Sequence, residues 1–256
     1  MRKWLPALVC CLLGVPGGLL AQRSERMGAP ERADPRNNIA YDGKFVFARI
    51  MYHVQPTGFD NFRRPDLKWD HDYPRAEIHF TRILQQITTL RPYTEGGNIL
   101  TLDDPELFKY PVAYMAEPGF WSMSEKEMVA FRTYLQKGGF VIFDDFAGPQ
   151  WFNFERQMRR LLPDALPVRL DTSHPIFDTF YRIESLDYQH PYFGNPSEFY
   201  GFFENNDPAR RLLAIVNYNN DIAEYWEWSD MGLFPIQLSN EAYKLGVNYI
   251  MYGMTR

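Results

Sequence analysis

The residues with the clearest chemical potential are two adjacent carboxylates, Asp144 and Asp145, which follow the apolar run FVIF at positions 140–143. A continuous apolar run opened by Gly138 and Gly139 fits a central strand covered on both faces. Ligands of open α/β sheets bind beyond the carboxyl ends of the strands. These two side chains are therefore expected where a ligand, or a proton in transfer, would be met. Aspartate in such a place also caps turns and helices, and the sequence leaves both roles open for Asp145.

The same placement applies to His53, after the first apolar segment, and to Asn217, Asn219, Asn220 and Asp221, after LLAIV. The loop run WDHDYP gathers Asp70, His71, Asp72 and Tyr73. These types can share a proton or hold a divalent ion, but their spacing matches no defined metal site. The expected ligand-binding residues are Asp70, Asp72, Tyr73, Asp144, Asn219 and Asp221. His174, in TSHPIFDTF, is the candidate acid–base partner of Asp145, provided that the fold brings the two within hydrogen-bond reach. It can equally fix a turn ahead of Pro175.

No metal and no cofactor are expected. The five histidines form no H-x-x-x-H pair, and the chain has no C-x-x-C, no G-x-G-x-x-G and no G-x-x-x-x-G-K-[ST]. Those spacings would mark zinc sites and phosphate cradles. Ser122, Ser124 and Ser173 lie outside any G-x-S-x-G elbow, which argues against a serine nucleophile. Trp121, Trp151, Trp226 and Trp228 are expected mainly in the core, while aromatics near Asp145 would suit a sugar ring.

The elements that must position these residues are legible from periodicity. Strands are expected from about residue 44 (FVFARIMYHV), at 98–102 and at 112–115. Helices are expected after Pro74, with Phe80, Ile83, Leu84, Ile87 and Leu90 on one face, and after Ser124. Ser124 and Glu127 form a capping-box pattern, and Gly138 is the matching stop. A further helix carries Trp151, Phe154, Met158, Leu161 and Leu162. Beyond Pro163 the pattern loosens into a strand at 168–170, a short helix near Pro175 and an irregular aromatic stretch to Glu204. A strong strand at 212–218 and a helix at 240–252 follow. Alternating strands and helices predict a flavodoxin-like α/β fold, a doubly wound, mostly parallel sheet with helices on both faces.

Residues 1–21 pair Arg2 and Lys3 with an apolar stretch closing on Ala21, the pattern of a cleavable signal peptide. Residues 22–43 are polar and read as a flexible tether, leaving 44–256 as a single domain. A periplasmic or secreted location is expected. Both cysteines, Cys10 and Cys11, lie in the signal segment, so disulfides and thiol catalysis drop out of the mature chain. Removing Arg2 and Lys3 takes the formal charge from -5 to -7, which disfavours nucleic acid as a partner. No second apolar run is long enough to span a bilayer, so no stable membrane span is expected after cleavage.

The segments FVFARIMY, WDHDYP, LFKYPVAYM, LQKGGFVIFDDF, SHPIF, VNYNNDIAEYWEW and KLGVNYIMYG together resemble the bacterial domain-of-unknown-function family 4159. The resemblance runs from about Phe45 to Tyr252. It implies a sheet similar to class I glutamine amidotransferases and ThuA-like proteins, with Gly138, Gly139 and FVIF matching a GG-plus-strand segment and His174, Pro175 and Ile176 an H-P-I motif. The amidotransferase nucleophile is a cysteine, which the mature chain lacks, so glutamine hydrolysis is not implied. The expected function is binding of a small, carbohydrate-like ligand at the strand ends. The alternatives are an Asp/His acid–base hydrolase or isomerase and a module that binds an envelope protein partner.

Overall fold

The computed structural model describes residues 33–55, 66–187 and 190–256. Residues 1–21, expected as a signal peptide, residues 22–32 of the expected tether, and Asp60, Arg63 and Arg64 lie outside these residues. The strands are β1 (Phe47–Met51), β2 (His53–Val54), β3 (Gly97–Thr101), β4 (Val112–Ala116), β5 (Trp121–Ser122), β6 (Phe140–Phe146), β7 (Val168–Arg169), β8 (Glu198–Phe203) and β9 (Leu212–Tyr218). The α-helices are α1 (Arg75–Ile87), α2 (Glu125–Gln136), α3 (Gln150–Leu161), α4 (Ile222–Glu227) and α5 (Ile236–Thr255).

Seven strands form the main sheet in the order β3-β1-β4-β6-β9-β8-β7, and β2 pairs with β5 in a separate ribbon. The first five run parallel, while β8 and β7 add antiparallel pairings at one edge. This is the doubly wound, flavodoxin-like order, and its switch point lies where β1 and β4 end side by side. Side chains alternate across each strand as a period of two requires. Phe140 and Ile142 pack with α1, α4 and α5, whereas Val141 and Phe143 pack with α2 and α3.

The Ser124 hydroxyl accepts from the Glu127 amide at 3.3 Å, and the Glu127 carboxylate accepts from the Ser124 amide at 2.7 Å, which completes the capping box. Gly138 closes the helix region at φ +117°, where a side chain would be strained. Ser124→Ala should lower stability by about 1 kcal/mol, which urea unfolding would register as a lower midpoint at unchanged m.

Three expectations need correction, and one helix was not anticipated. The aromatic stretch before Glu204 contains a regular strand, β8, whose bulky residues pack its two faces. The segment after β9 forms α4, whose N-cap is Asp221. Ile83 is 38% exposed, so the inward stripe of α1 runs through Ala76, Phe80 and Leu84. Residues 38 and 39, read as tether, are bound to the β3 edge. Asn38 exchanges amide bonds with the Ile99 backbone at 2.7 and 2.8 Å, and Asn98 does the same with Ile39 at 2.8 and 2.9 Å. Two side-chain amides stand in for a strand partner there, a role that polarity alone does not reveal. Among the described residues no helix is long and apolar enough to cross a membrane.

Candidate functional site

Carboxyl groups converge where β4, β6 and β9 end, and the backbone is bent to make them do so. Glu117 directly follows β4 and has φ +42°, and Asp145, near the end of β6, has φ +59°. Asn219 after β9 has φ +55°, while Lys68 and Asp72 in the overlying loop both have φ +63°. Non-glycine residues keep such conformations only where their surroundings over-determine them, and they gather at functional sites. Here the fixing bonds are explicit. The Glu117 amide donates to the Asp144 carbonyl at 3.0 Å, the Asp145 amide to the Asn220 carbonyl at 3.1 Å, and the Asn219 amide to the Phe146 carbonyl at 2.9 Å.

The two aspartates of β6 part company. Asp144 is fully buried and turned to the helical face shared with α4. One of its oxygens accepts from the Asn217 amide group at 2.9 Å. The other accepts from the Tyr114 hydroxyl at 2.9 Å and from the backbone amides of Ile222 and Ala223 at 3.0 and 3.2 Å. It anchors the α4 N-terminus. Burial pushes its carboxyl up to about 6, against the pull of those four donors. Asp145 sits at a break in the β6–β9 register and turns instead toward His71 and Glu117.

Asp145 meets Glu117 and His71, with one ligating atom from each within 4.8 Å of the others. The His71 imidazole lies between two carboxylates, with Nδ1 2.5 Å from Glu117 and Nε2 2.8 Å from Asp66. Burial by itself would lower its pKa, but hydrogen bonding and the charge of Glu117, joined by Asp66, raise it to about 9. Lys68 adds its ammonium at 2.6 Å from Asp66 and 3.3 Å from Glu117. Two cations thus balance two anions on one side of Asp145. The Asp145 carboxyl is left with burial and then the charges of Glu117 and Asp144, all of which push its pKa well up.

A second group adjoins the first. Asp72, Asp221 and Glu224 place oxygens within 4.8 Å of one another. Burial, followed by the charges of Asp145 and Glu227, drives the Asp72 pKa well up, and burial with Asp145 and Asp72 does the same to Asp221. Burial raises Glu224, and with the charge of Glu224 it takes Glu227 up to about 7. Beneath both groups Arg49 is fully buried. It ion-pairs with Glu77 at 2.5 Å and donates to the carbonyls of Trp69 and His71 at 2.9 Å each, which ties the 66–73 loop to the sheet. The larger surface depressions share no residue with either group. One of about 730 Å³ is lined by Thr172, Arg182 and Arg256, and another of about 670 Å³ by Arg132, Asn206 and Arg211.

A model of the domain of unknown function DUF4159 matches residues 46–254. The chain belongs to this family. No curated protein matches it. All the strand-end carboxyls of this DUF4159 chain fall inside the matched range.

Of the expected site residues, Asp72, Asp145 and Asp221 come together in the DUF4159 domain. Asp70 is half-buried nearby, with burial raising its pKa, and the Arg49 guanidinium lies 6.0 Å from the Tyr73 ring centroid. Asn219 ties two neighbouring loops together, accepting from the Gly148 amide at 3.2 Å and donating to the Pro196 carbonyl at 3.3 Å. His174 is not brought to Asp145. Its ring packs on Phe203 and Tyr252, and its Nδ1 accepts from the Ile176 amide at 3.3 Å as a cap. Phe203 pairs with Leu212 at the start of β9, whereas Asp145 lies beside the residues that follow its end. A seven-residue strand, roughly 20 Å, separates the two. His53 is likewise outside the cluster, 3.5 Å from Glu127.

Glu117, His71, Lys68 and Glu224 were not among the expected binding residues. Glu117 carried the same signal as Asp144, a carboxylate directly after an apolar strand. Glu224 becomes legible once Asp221 is seen as an N-cap, because it lies three residues later on the same helical face.

Proposed function

We propose that this is an exported domain of amidotransferase-like fold, without the nucleophile, that binds a small neutral polyol or sugar where β4 and β6 end. The observation that carries this reading is the pairing of Glu117 and Asp145 on adjacent strand ends, both held at positive φ, with His71 between them and solvent. A carboxylate beside a protonated carboxyl can accept from and donate to neighbouring hydroxyls, and the His71 side chain, 39% exposed, marks the open edge. The surplus of carboxyls disfavours anionic ligands. Export draws its support from the basic and apolar opening of residues 1–21.

A catalytic reading is favoured by the same pair. Of the two, Glu117 is clamped by His71 and Lys68, whereas burial and the charge of Glu117 push the Asp145 pKa well up. Asp145 would then act as proton donor and Glu117 as base, with no part for His174.

Thermal melting with myo-inositol, glucose, galactose and maltose tests the binding reading. At least one of these should raise Tm, and the rise should vanish in both Asp145→Asn and Glu117→Gln. A panel that leaves Tm unmoved, or a shift that survives both changes, would sink it. For the catalytic reading, nitrophenyl glycosides are the probe, and both variants should lose about 10²–10⁴-fold in turnover.

A further inference from the structure

We infer that His174, Arg211 and Arg256, gathered around Tyr252 at the end of the sheet opposite the carboxyls, form a binding site for a ligand that carries a phosphoryl group. This goes beyond the polyol reading at Glu117 and Asp145 and does not rest on it.

The site lies where β6 and β9 begin. Arg211 directly precedes β9, and its guanidinium donates to the carbonyls of Gly139 at 3.1 Å and Leu135 at 2.5 Å. Tyr252, on α5, packs against Phe140 at the start of β6, with ring centroids 5.7 Å apart. The His174 ring lies 6.1 Å from the Tyr252 ring on the same measure, and the Arg256 guanidinium lies 5.9 Å from it. Burial raises the Tyr252 pKa, while a bond with the Leu212 backbone and the charges of Arg256 and Arg211 pull the other way, which places both cations close to its ring. Together with Pro175 and Arg210 these side chains line a groove of about 320 Å³.

The charge of this groove is one-sided. Three arginines and a histidine line it and no carboxylate does, on a chain whose formal charge is -5. Arg210 is loosely paired with Asp207 at 3.7 Å, but among the described residues neither Arg211 nor Arg256 is paired with a carboxylate side chain. Like charges held together disfavour the empty groove, and an anion between them relieves that cost. Arg211 commits only part of its fork to the two carbonyls, so the remaining N–H donors are left for a ligand. His174 adds a donor of fixed direction. Its Nδ1 accepts from the Ile176 amide at 3.3 Å, so the neutral ring carries its hydrogen on Nε2.

The donor set selects the kind of anion. A carboxylate is planar and is satisfied by one guanidinium fork, whereas a phosphoryl group presents several charged oxygens in a tetrahedral arrangement. Donors that arrive from the start of β9, from the end of α5 and from the turn at His174 match the second shape. The groove shares Pro175 and Arg256 with the depression of about 730 Å³ that also carries Thr172 and Arg182, which leaves room for the rest of a phosphorylated molecule.

The test uses the full chain in phosphate-free buffer of low ionic strength, titrated by calorimetry and thermal melting with inorganic phosphate, pyrophosphate, a water-soluble short-chain phosphatidylglycerol and citrate. At least one of the three phosphoryl compounds should bind with a stoichiometry near one, and a concentration about a hundredfold above Kd should raise Tm by about 5–10 °C. A response to phosphate or pyrophosphate assigns a free phosphorylated ligand, and a response to the lipid alone assigns a headgroup; either supports the site. His174→Asn and Arg256→Gln should each weaken binding by about ten- to hundredfold while keeping the ligand-free Tm and far-ultraviolet circular dichroism of the wild type, because asparagine preserves the cap on the Ile176 amide. Asp145→Asn should keep the phosphoryl response even as it abolishes a polyol shift, so failure of one reading is distinguishable from failure of the other. The inference is overturned if the wild type responds to none of the three phosphoryl compounds, if the response survives both His174→Asn and Arg256→Gln, or if citrate binds as tightly as the best of them.

Discussion

Asp144→Ala should lower the unfolding free energy by on the order of 3–5 kcal/mol, the largest effect expected from a single change near the site. The alanine would strand four donors in a dry interior, the Asn217 amide, the Tyr114 hydroxyl and the amides of Ile222 and Ala223. Leaving each unsatisfied carries a penalty of about 1–3 kcal/mol before relaxation. The same carboxylate lies where the α4 N-terminus is positive, so its loss also removes a favourable dipole interaction. Because α4 carries Asp221 and Glu224, the damage should reach the site. Urea unfolding of wild type and variant measures the first effect, and loss of the polyol-induced Tm shift in a still-folded variant measures the second. A midpoint within experimental error of the wild type would mean that Asp144 does not anchor the helix.

The protein should be most stable near pH 5 and should weaken as pH rises to 9, by on the order of 2–3 kcal/mol or about 5–10 °C in Tm. The sign follows from which state binds more protons. Asp72, Asp145 and Asp221 have folded pKa values above the ordinary 3.8, so above that pH the folded chain holds protons that the unfolded chain has released. Stability therefore falls as pH rises through the gap between the two states. Glu227 adds a window from 4.5 to about 7. His71 acts in the same direction for the opposite reason. Its ion pairs favour the charged form, so their contribution is complete below 6.5 and disappears as pH climbs through about 9. Melting curves from pH 4 to 9 should show the decline, and Asp145→Asn should flatten it while raising Tm at pH 8. A flat wild-type profile, or a maximum at pH 8, would show that these carboxyls titrate near their ordinary values.

Much of the fold was legible because its causes are local. The apolar run at 140–143 could only be a covered strand, Ser124 and Glu127 announced a helix start that forms as written, and Gly138 ended that helix where a positive φ was needed. The elements that were missed have non-local causes. β8 alternates aromatics that look irregular until β9 and β7 pair with it, and α4 is only six residues long, too short for a periodic stripe. Its start depends on Asp144, 78 residues away from Ile222 in the chain.

The candidate site divides along the same line. Sequence placed carboxylates at strand ends and drew attention to WDHDYP. It could not separate Asp144 from Asp145, because identical neighbours in a regular strand differ only in the face they present, and the bulge that turns Asp145 toward Glu117 and His71 is held by bonds from Asp145 to Asn220 and from Asn219 to Phe146. It offered His174 as a partner because sequence carries no measure of which end of the sheet a residue occupies. The structure packs that residue on Phe203, the last residue of β8, beside the start of β9 and so at the other end of the sheet.

What the sequence determined by itself was the set of strands and helices whose periods and caps are written in adjacent residues, and the fact that acidic groups end several strands. Only the tertiary structure decided which of them meet. Strand order brings Glu117 and Asp145 side by side, the buried Arg49 draws the loop with His71 and Asp72 over them, and Asp144 fixes the helix that supplies Asp221 and Glu224. Local patterns are governed by backbone geometry over a few residues. Convergence of charges against their mutual repulsion is imposed by the packing of the whole domain.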